Sequence, residues 1–283
     1  MSKELFLKCK DHSVSGEEFE LLYDKELDML ITSPSPDISE LGKYYESEEY
    51  ISHTDSNTSV FDKLYQFVKK FSIQKKVNLL NSFRSNTSKK VIVLDIGCGT
   101  GDFLLGCKNS DFTVCGVEPN AKAKSLSESK LGSTVYADIS ELEGKKFDCI
   151  TMWHVLEHVP NLSEYLVRLK SLLKKDGVLI VAVPNFKSYD ASHYKNFWAA
   201  YDVPRHLSHF SKNAISRLFL KVNMKVKNKL PLFFDSFYVA LLSEKYKNGK
   251  SNWIRAFFIG LTSNLKAMRS GEYSSLIYII KNN

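Results

Sequence analysis

Three glycines and two acids stand close together in the stretch VLDIGCGTGDF, residues 93–103. The glycines occupy alternate positions: Gly97, Gly99 and Gly101. The spacing is therefore G-x-G-x-G and not the G-x-G-x-x-G of dinucleotide sites. Asp95 precedes the turn and Asp102 follows it, and acids at such a turn would repel a pyrophosphate. The stretch predicts a ligand with a cationic group, either an ammonium or a sulfonium.

Two further acids follow apolar runs later in the chain. Glu118 closes FTVCGVE, where an acid can accept hydrogen bonds from both hydroxyls of a ribose. Asp138 follows STVYA and could accept from the exocyclic amine of a base. Together with Asp95, these acids describe a nucleoside with a positively charged tail and no phosphate.

From residue 91 onward, short apolar runs alternate with helical stretches. The runs are 91–96, 112–118, 133–137, 147–153 and 177–184. Near-continuous apolar strands that alternate with helices indicate a parallel sheet covered on both faces, with ligands at the carboxyl ends of its strands. Two later runs, 224–234 and 274–282, predict a terminal antiparallel pair with helical material at 236–269 between them.

The ordered set VLDIGCGTGDF, VCGVEPN, ADI, FDCITMWHVLEHVPN and LLKKDGVLIVAVPN resembles the class I S-adenosylmethionine-dependent methyltransferases. It is similar to the branch that includes the O-methyltransferases of quinone biosynthesis, and the resemblance covers about residues 91–230. It implies an α/β fold, a three-layer Rossmann-like sandwich with a mostly parallel seven-stranded sheet. We expect this domain at 89–283, with insertions at about 186–210 and 236–269, after an N-terminal hairpin and helical cap at 1–88.

The resemblance also implies roles for individual residues around S-adenosylmethionine, whose product is S-adenosylhomocysteine. Asp95 and the backbone of the three glycines would hold the methionine part, and Glu118 the ribose. The adenine would lie beside Pro119, Asp138 and Ile139, and the methyl group beside Trp153 and His154. Tyr50 and His53, in an aromatic patch upstream, could form a lid over the cofactor or pack the N-terminal hairpin onto the sheet.

The residues after the fifth apolar run supply candidates for the methyl acceptor's side. We expect His154 or His206 to act as general base, because a histidine pKa lies near neutral pH. Trp198, Arg205 and His209 are candidate substrate residues, although Arg205 could instead pair with Asp202.

Two patterns raise the question of a metal. HVLEH, residues 154–158, matches the inverted zinc-protease signature and would make a zinc hydrolase, but Pro160 limits the helix that would carry the ligands. Cys9 and His12 form a C-x-x-H pair without a second cysteine pair to complete a four-ligand site. We expect no metal at either place.

Composition and charge limit the classes of binding partner that we expect. The net charge of +7 comes from scattered lysines, which disfavours nucleic acid, and no apolar run is long enough to span a bilayer. Five unevenly spaced cysteines indicate reduced thiols and a cytoplasmic protein. We expect methyl transfer to a small or medium organic acceptor, with oxygen favoured; the alternative is a cofactor-binding protein without turnover. The apolar and basic stretch within 236–269 could line an acceptor pocket, dimerise or touch a membrane surface.

Overall fold

A computed structural model describes residues 3–37, 40–45, 60–84 and 90–283 of the chain. Tyr50 and His53 of the predicted lid lie outside these residues, so their role stays a prediction.

The strands in the described residues are, in chain order, β1 (Glu4–Lys10), β2 (Glu18–Asp24), β3 (Met29–Ser33), β4 (Ile92–Ile96), β5 (Thr113–Val117), β6 (Val135–Tyr136), β7 (Phe147–Trp153), β8 (Leu173–Pro184), β9 (Ser208–His209), β10 (Met224–Pro231) and β11 (Ser275–Asn282). The α-helices are α1 (Val60–Asn81), α2 (Asp102–Asn109), α3 (Ala121–Leu131), α4 (Leu162–Leu172), α5 (Tyr189–Tyr194), α6 (Lys212–Lys221), α7 (Asp235–Asn248) and α8 (Trp253–Ser270).

The central sheet has seven strands in the order β10-β11-β8-β7-β4-β5-β6. Strands β4 to β8 pair in parallel, whereas β11 pairs antiparallel with both β8 and β10. The predicted mostly parallel sheet with a terminal antiparallel pair is thus confirmed. The carboxyl ends of β4, β5, β6 and β7 meet at one edge, because neighbouring parallel strands end on the same side.

Helices cover both faces of this sheet, which gives the predicted three layers. On one face α1 and α2 pack Leu80 and Phe103 against Val93 and Ile180 of the strands. Buried residues of α4 and α6 close the other face. The central residues of β8 are almost completely buried, which explains why that strand is an unbroken apolar run.

The N-terminal segment is larger than the hairpin or short strand pair expected from its sequence. Strands β1, β2 and β3 form an antiparallel meander, and β9 adds a fourth strand beside β3. The pairing joins Leu30 to His209 and Ile31 to Ser208. Because β9 is two residues long and lies in the insertion after β8, no local pattern in the N-terminal sequence predicts this fourth strand.

Candidate functional site

The glycine turn links the end of β4 to the start of α2. Gly97 and Gly101 have φ values of 70° and 80°, a region that residues with a Cβ rarely adopt. A Cβ on Gly97 would lie 2.5 Å from Val155 Cγ2, and one on Gly101 would lie 2.5 Å from Ser127 Oγ. Both the backbone conformation and the surrounding atoms therefore require glycine, so the turn stays narrow and its backbone is open to a ligand.

Asp95, at the end of β4, is a buried carboxylate with 2% of its surface exposed. It accepts a hydrogen bond of 2.6 Å from Thr151 Oγ1 on β7. Burial raises the pKa of Asp95 to about 7, although the Thr151 hydrogen bond and the positive charge of Lys76 both act to lower it. A carboxylate that is this poorly solvated gains most from a cationic ligand.

Glu118, directly after β5, fastens the glycine turn from the neighbouring strand. Its Oε2 accepts from the backbone N–H of Gly99 at 2.8 Å, and its Oε1 accepts from Asn120 N–H at 2.9 Å. A carboxylate oxygen has further acceptor sites, so the same group can receive ribose hydroxyls. Pro119 beside it is exposed at the open edge of the sheet.

Asp138 caps the short 3₁₀ turn Ile139–Leu142 that follows β6. Its Oδ1 accepts from Ser140 N–H at 2.8 Å, and hydrogen bonds from Ser140 hold the pKa of this carboxyl below its usual range. Ile139 is 4% exposed and packs into the main core. The structure thus assigns Asp138 a local capping role that the sequence analysis did not include.

Asp102 does not face the ligand edge, which corrects part of the sequence argument. Its carboxylate pairs with Lys69 of α1 at 2.6 Å and with Lys130 of α3. Asp102 therefore connects α2 to α1 and α3 through ion pairs. The argument against a pyrophosphate ligand then depends on the G-x-G-x-G spacing and on Asp95.

Trp153 is the last residue of β7, and His154 directly follows the strand. The Trp153 ring meets Phe103 edge to face with 5.6 Å between centroids, and Lys76 Nζ lies 4.3 Å from its centroid. His154 has a left-handed backbone, with φ 58°. Its Nε2 lies 3.0 Å from Asp235 Oδ2, at the start of α7.

The surroundings of His154 argue against its predicted role as general base. Burial acts to lower its pKa, but the carboxylates of Asp235 and Glu157 outweigh this and raise the pKa to about 10. An imidazole with that pKa already carries its proton at neutral pH. His154 is therefore a poor proton acceptor as long as Asp235 stays beside it.

The three predicted substrate residues have polar atoms bonded within the protein. Trp198 is 2% exposed, and its Nε1 donates to Asp190 Oδ2 at 2.7 Å. His209 Nε2 lies 3.0 Å from Thr32 Oγ1, and burial lowers the pKa of His209 well below its usual range. Both side chains hold the insertion after β8 in place.

Arg205, the third of these residues, pairs with Asp202, which was the alternative to a role in substrate binding. Its guanidinium pairs with Asp202 at 2.7 Å and with Asp11 at 2.9 Å, and it donates to the carbonyl of Tyr44. The side chain is almost completely buried, so this network joins the N-terminal sheet to the insertion and leaves no exposed fork for an anionic acceptor.

The C-x-x-H pair near the N-terminus packs against the aromatic side chains of the insertion and of α7. Cys9 is buried among apolar residues, which raises the pKa of its thiol to about 12. His12 stacks on Tyr246 with 4.9 Å between the ring centroids.

The HVLEH segment does not form the arrangement of a zinc protease. Its described backbone is a 3₁₀ turn, Leu156–His158, so His154 and His158 do not share one α-helical face. Instead, Glu157, His158 and His206 place one ligating atom each within 4.8 Å of the others. The sequence alone suggested His206 as a base and gave no sign of this grouping, because His158 and His206 are 48 positions apart, which is no metal-ligand spacing.

Comparisons with known proteins agree with this geometry. Residues 58–228 match the family described as "Methyltransferase domain". The chain belongs to this family, and its resemblance to S-adenosylmethionine-dependent methyltransferases is confirmed. In the described residues, no helix is both long and apolar enough to cross a membrane.

The relatives include a ubiquinone biosynthesis O-methyltransferase of Rickettsia prowazekii, 26% identical in an alignment of 167 residues that covers 53% of this chain and 65% of that protein. The chain thus spans less than two thirds of this relative's length. A magnesium protoporphyrin IX methyltransferase of Synechocystis, solved with S-adenosylhomocysteine, has a TM-score of 0.57 and 15% identity over 87% of this chain and 100% of that one. A cyclopropane synthase of Mycobacterium tuberculosis has a TM-score of 0.55 and 13% identity over 88% and 99%. These structures establish the shared fold.

Proposed function

We propose that the chain transfers the methyl group of S-adenosylmethionine to a hydroxyl of a small or medium, largely apolar organic acceptor. The observation that carries the proposal is the pair Asp95 and Glu118, which flank the glycine turn at the ends of β4 and β5. Asp95 is buried and suited to the ammonium of the methionine part, and Glu118 has acceptor sites for the ribose. In this proposal the adenine lies beside Pro119, Asp138 and Ile139, and the methyl group beside Trp153.

Methyl transfer from a sulfonium depends mainly on alignment, since the methyl carbon is already electrophilic. Correct placement of the acceptor oxygen can supply up to about 7–11 kcal/mol of the barrier. The oxygen attacks the methyl carbon, the carbon–sulfur bond breaks, and its electron pair stays on the sulfur of S-adenosylhomocysteine. The relative named as an O-methyltransferase supports oxygen as the acceptor atom.

An apolar rim beside His154 and Asp235 supports an apolar acceptor. Phe233 and Phe234, which directly precede α7, are 45% and 43% exposed. Phe71 of α1 meets Phe234 edge to face with 5.9 Å between centroids. A group of exposed aromatic side chains is typical of a binding surface for an apolar ligand.

The outer face of α8 supports contact with a membrane surface, from which such an acceptor could be taken. Ile254, Phe258, Leu261 and Leu265 recur at helical spacing and are 74%, 59%, 36% and 56% exposed. The helix contains three basic residues and no acid. An apolar stripe with basic neighbours matches the chemistry of an anionic lipid surface. The five free thiols support a reducing, cytoplasmic setting.

The test of transfer uses methyl-labelled S-adenosylmethionine and a panel of phenols, catechols and alkylated phenols, with RNA as a separate acceptor. We expect label in an alkylated phenol or catechol and none in RNA, and Glu118→Gln should lose activity through weaker cofactor binding. Tight S-adenosylhomocysteine binding with no labelled product from any acceptor would favour the alternative of a cofactor-binding protein without turnover.

The membrane contact has its own test, co-sedimentation with vesicles of phosphatidylglycerol or of phosphatidylcholine. Phe258→Ser should weaken binding to the anionic vesicles. Val167→Ser on α4, where the valine is 58% exposed, is the matched control and should leave binding unchanged. Equal binding by wild type and Phe258→Ser, or a dimer that Phe258→Ser dissociates, would remove the lipid interpretation.

A further inference from the structure

The cluster of Glu157, His158 and His206 is assembled from two distant parts of the chain. Glu157 and His158 end the 3₁₀ turn after β7, whereas His206 comes from the insertion between β8 and α6. A backbone hydrogen bond of 2.8 Å from Leu207 N–H to the Glu157 carbonyl fastens the two segments together. The three side chains are therefore held close by the fold itself, and not by the chance meeting of surface groups.

Both imidazoles are oriented by their Nδ1 atoms. His158 Nδ1 lies 3.0 Å from the carbonyl oxygen of Arg205, and His206 Nδ1 lies 2.9 Å from that of Ala200. A carbonyl can only accept, so each Nδ1 carries the hydrogen, and in the neutral ring each Nε2 has an electron pair that can bind a metal. His206 Nε2 also lies 3.9 Å from Asp202 Oδ2. The Tyr45 hydroxyl also lies 3.0 Å from His158 Nδ1. Histidine ligands of metals are usually oriented in this way by a carbonyl or carboxylate on the other nitrogen.

Glu157 supplies an independent observation. Its side chain is 1% exposed, and neither carboxylate oxygen has a hydrogen-bond partner. The His154 ring nitrogen lies 3.4 Å from Oε1, which is an ion-pair distance without hydrogen-bond geometry. His154 offsets part of the charge of Glu157 through this ion pair, but both carboxylate oxygens stay without a hydrogen bond. Buried carboxylates are normally hydrogen-bonded or bound to a metal, because burying a polar group without such a partner is costly.

We propose that Glu157, His158 and His206 bind one divalent transition-metal ion. Two imidazole nitrogens and one carboxylate form a three-ligand set that suits zinc and leaves a further coordination position open. The proposal replaces our sequence expectation that HVLEH binds no metal, and it changes the ligand set, since His206 stands where the protease signature would use His154.

A bound metal would also have a role in the transfer, and this part of the inference rests on the proposed function. An acceptor hydroxyl at the open coordination position would have its pKa lowered by the ion, so its proton could leave to solvent at neutral pH. The resulting oxygen anion then attacks the methyl carbon, the carbon–oxygen bond forms and the carbon–sulfur bond breaks. The reaction then needs no neutral histidine as general base.

The test is a titration of the full chain with Co²⁺ after removal of metals by a chelator and dialysis. We expect one Co²⁺ per chain, a visible absorption band and displacement by Zn²⁺. Glu157→Gln and His206→Asn should each weaken binding by about 100-fold or more, beyond what loss of an orienting partner costs. His193→Asn is the matched control, because His193 lies on α5 outside the cluster, and it should bind like wild type.

Circular dichroism and a cooperative thermal melt show that each variant is folded. The absence of Co²⁺ binding to folded wild type, or equal affinity in a folded Glu157→Gln or His206→Asn variant, overturns the site. Labelled methyl transfer with and without chelator separates the two proposals. Stoichiometric Co²⁺ binding without methyl transfer to any acceptor supports the site and contradicts the function, whereas unchanged transfer by metal-free protein supports the function and contradicts the role of the metal.

Discussion

The ionisation of Asp95 should make cofactor binding depend on pH. In the free protein, burial raises the pKa of Asp95 to about 7 from an ordinary value of 3.8. That shift corresponds to about 4 kcal/mol of unfavourable environment for the charged form. A ligand ammonium favours the carboxylate, so below pH 7 binding must first displace the proton from Asp95.

The sign and size of the effect follow from this linkage. Well below pH 7, the dissociation constant should rise about tenfold for each unit by which the pH falls; well above pH 7, it should be constant. Between pH 8.5 and 5.5 the loss of affinity is about 30-fold. The same raised pKa means that the folded free protein binds more protons than the unfolded chain, so this group lowers stability as pH rises from about 4 to 7.

Calorimetric titration with S-adenosylhomocysteine, in paired buffers with different heats of ionisation, measures the dissociation constant and the number of protons released on binding. Wild type should release a proton on binding below pH 7. Asp95→Asn should bind more weakly at pH 8.5 and lose this proton release, and titration of the ligand itself is common to both proteins. A wild-type dissociation constant that is flat from pH 5.5 to 8.5, or an equal slope in Asp95→Asn, would refute the reasoning.

Three further predictions concern the glycine turn and two buried charged residues, Arg205 and Asp28. Gly97→Ala should reduce the affinity for S-adenosylhomocysteine more than tenfold in calorimetry, because the new Cβ would lie 2.5 Å from a neighbouring side chain. Gly132→Ala, which has open space around it, should keep an affinity near that of wild type. Equal affinities of the two variants would contradict this prediction. Arg205→Met should lower the free energy of unfolding in urea by about 3–5 kcal/mol, since it leaves two carboxylates unpaired; a loss below about 1 kcal/mol would show that the buried network contributes little. Burial acts to raise the pKa of Asp28, but hydrogen bonds led by Lys187 lower it to about 2. Above pH 4, Asp28 should therefore contribute about 2 kcal/mol to the free energy of unfolding, and this contribution should be lost as the pH falls through 2. Urea unfolding of Asp28→Asn should show a smaller loss of stability than wild type over that pH range.

The sheet and the cofactor edge were predictable because their signals are local. The parallel strands β4, β5, β7 and β8 each contain a mostly apolar run, and β7 spans the same residues, 147–153, as the predicted run. The glycines of the turn are required by φ values and contacts that few other residues tolerate. The acids Asp95 and Glu118 then fall at strand ends as a consequence of the strand positions.

The electrostatic roles of several residues were not predictable in this way. Asp102 lies in the motif, yet its partners Lys69 and Lys130 come from α1 and α3. Arg205 could equally have faced an anionic acceptor, and only its burial against Asp11, 194 positions away in the chain, decides otherwise.

The sequence by itself determined the Rossmann-like sheet, the glycine turn and the acids at its edge, because apolar periodicity, turn conformation and strand termini are encoded within short windows of the chain. Only the tertiary structure decided which charges neutralise each other, that β9 completes the N-terminal sheet, and that His206 meets Glu157 and His158. These contacts join segments that lie tens to hundreds of residues apart, and their geometry depends on how the layers pack.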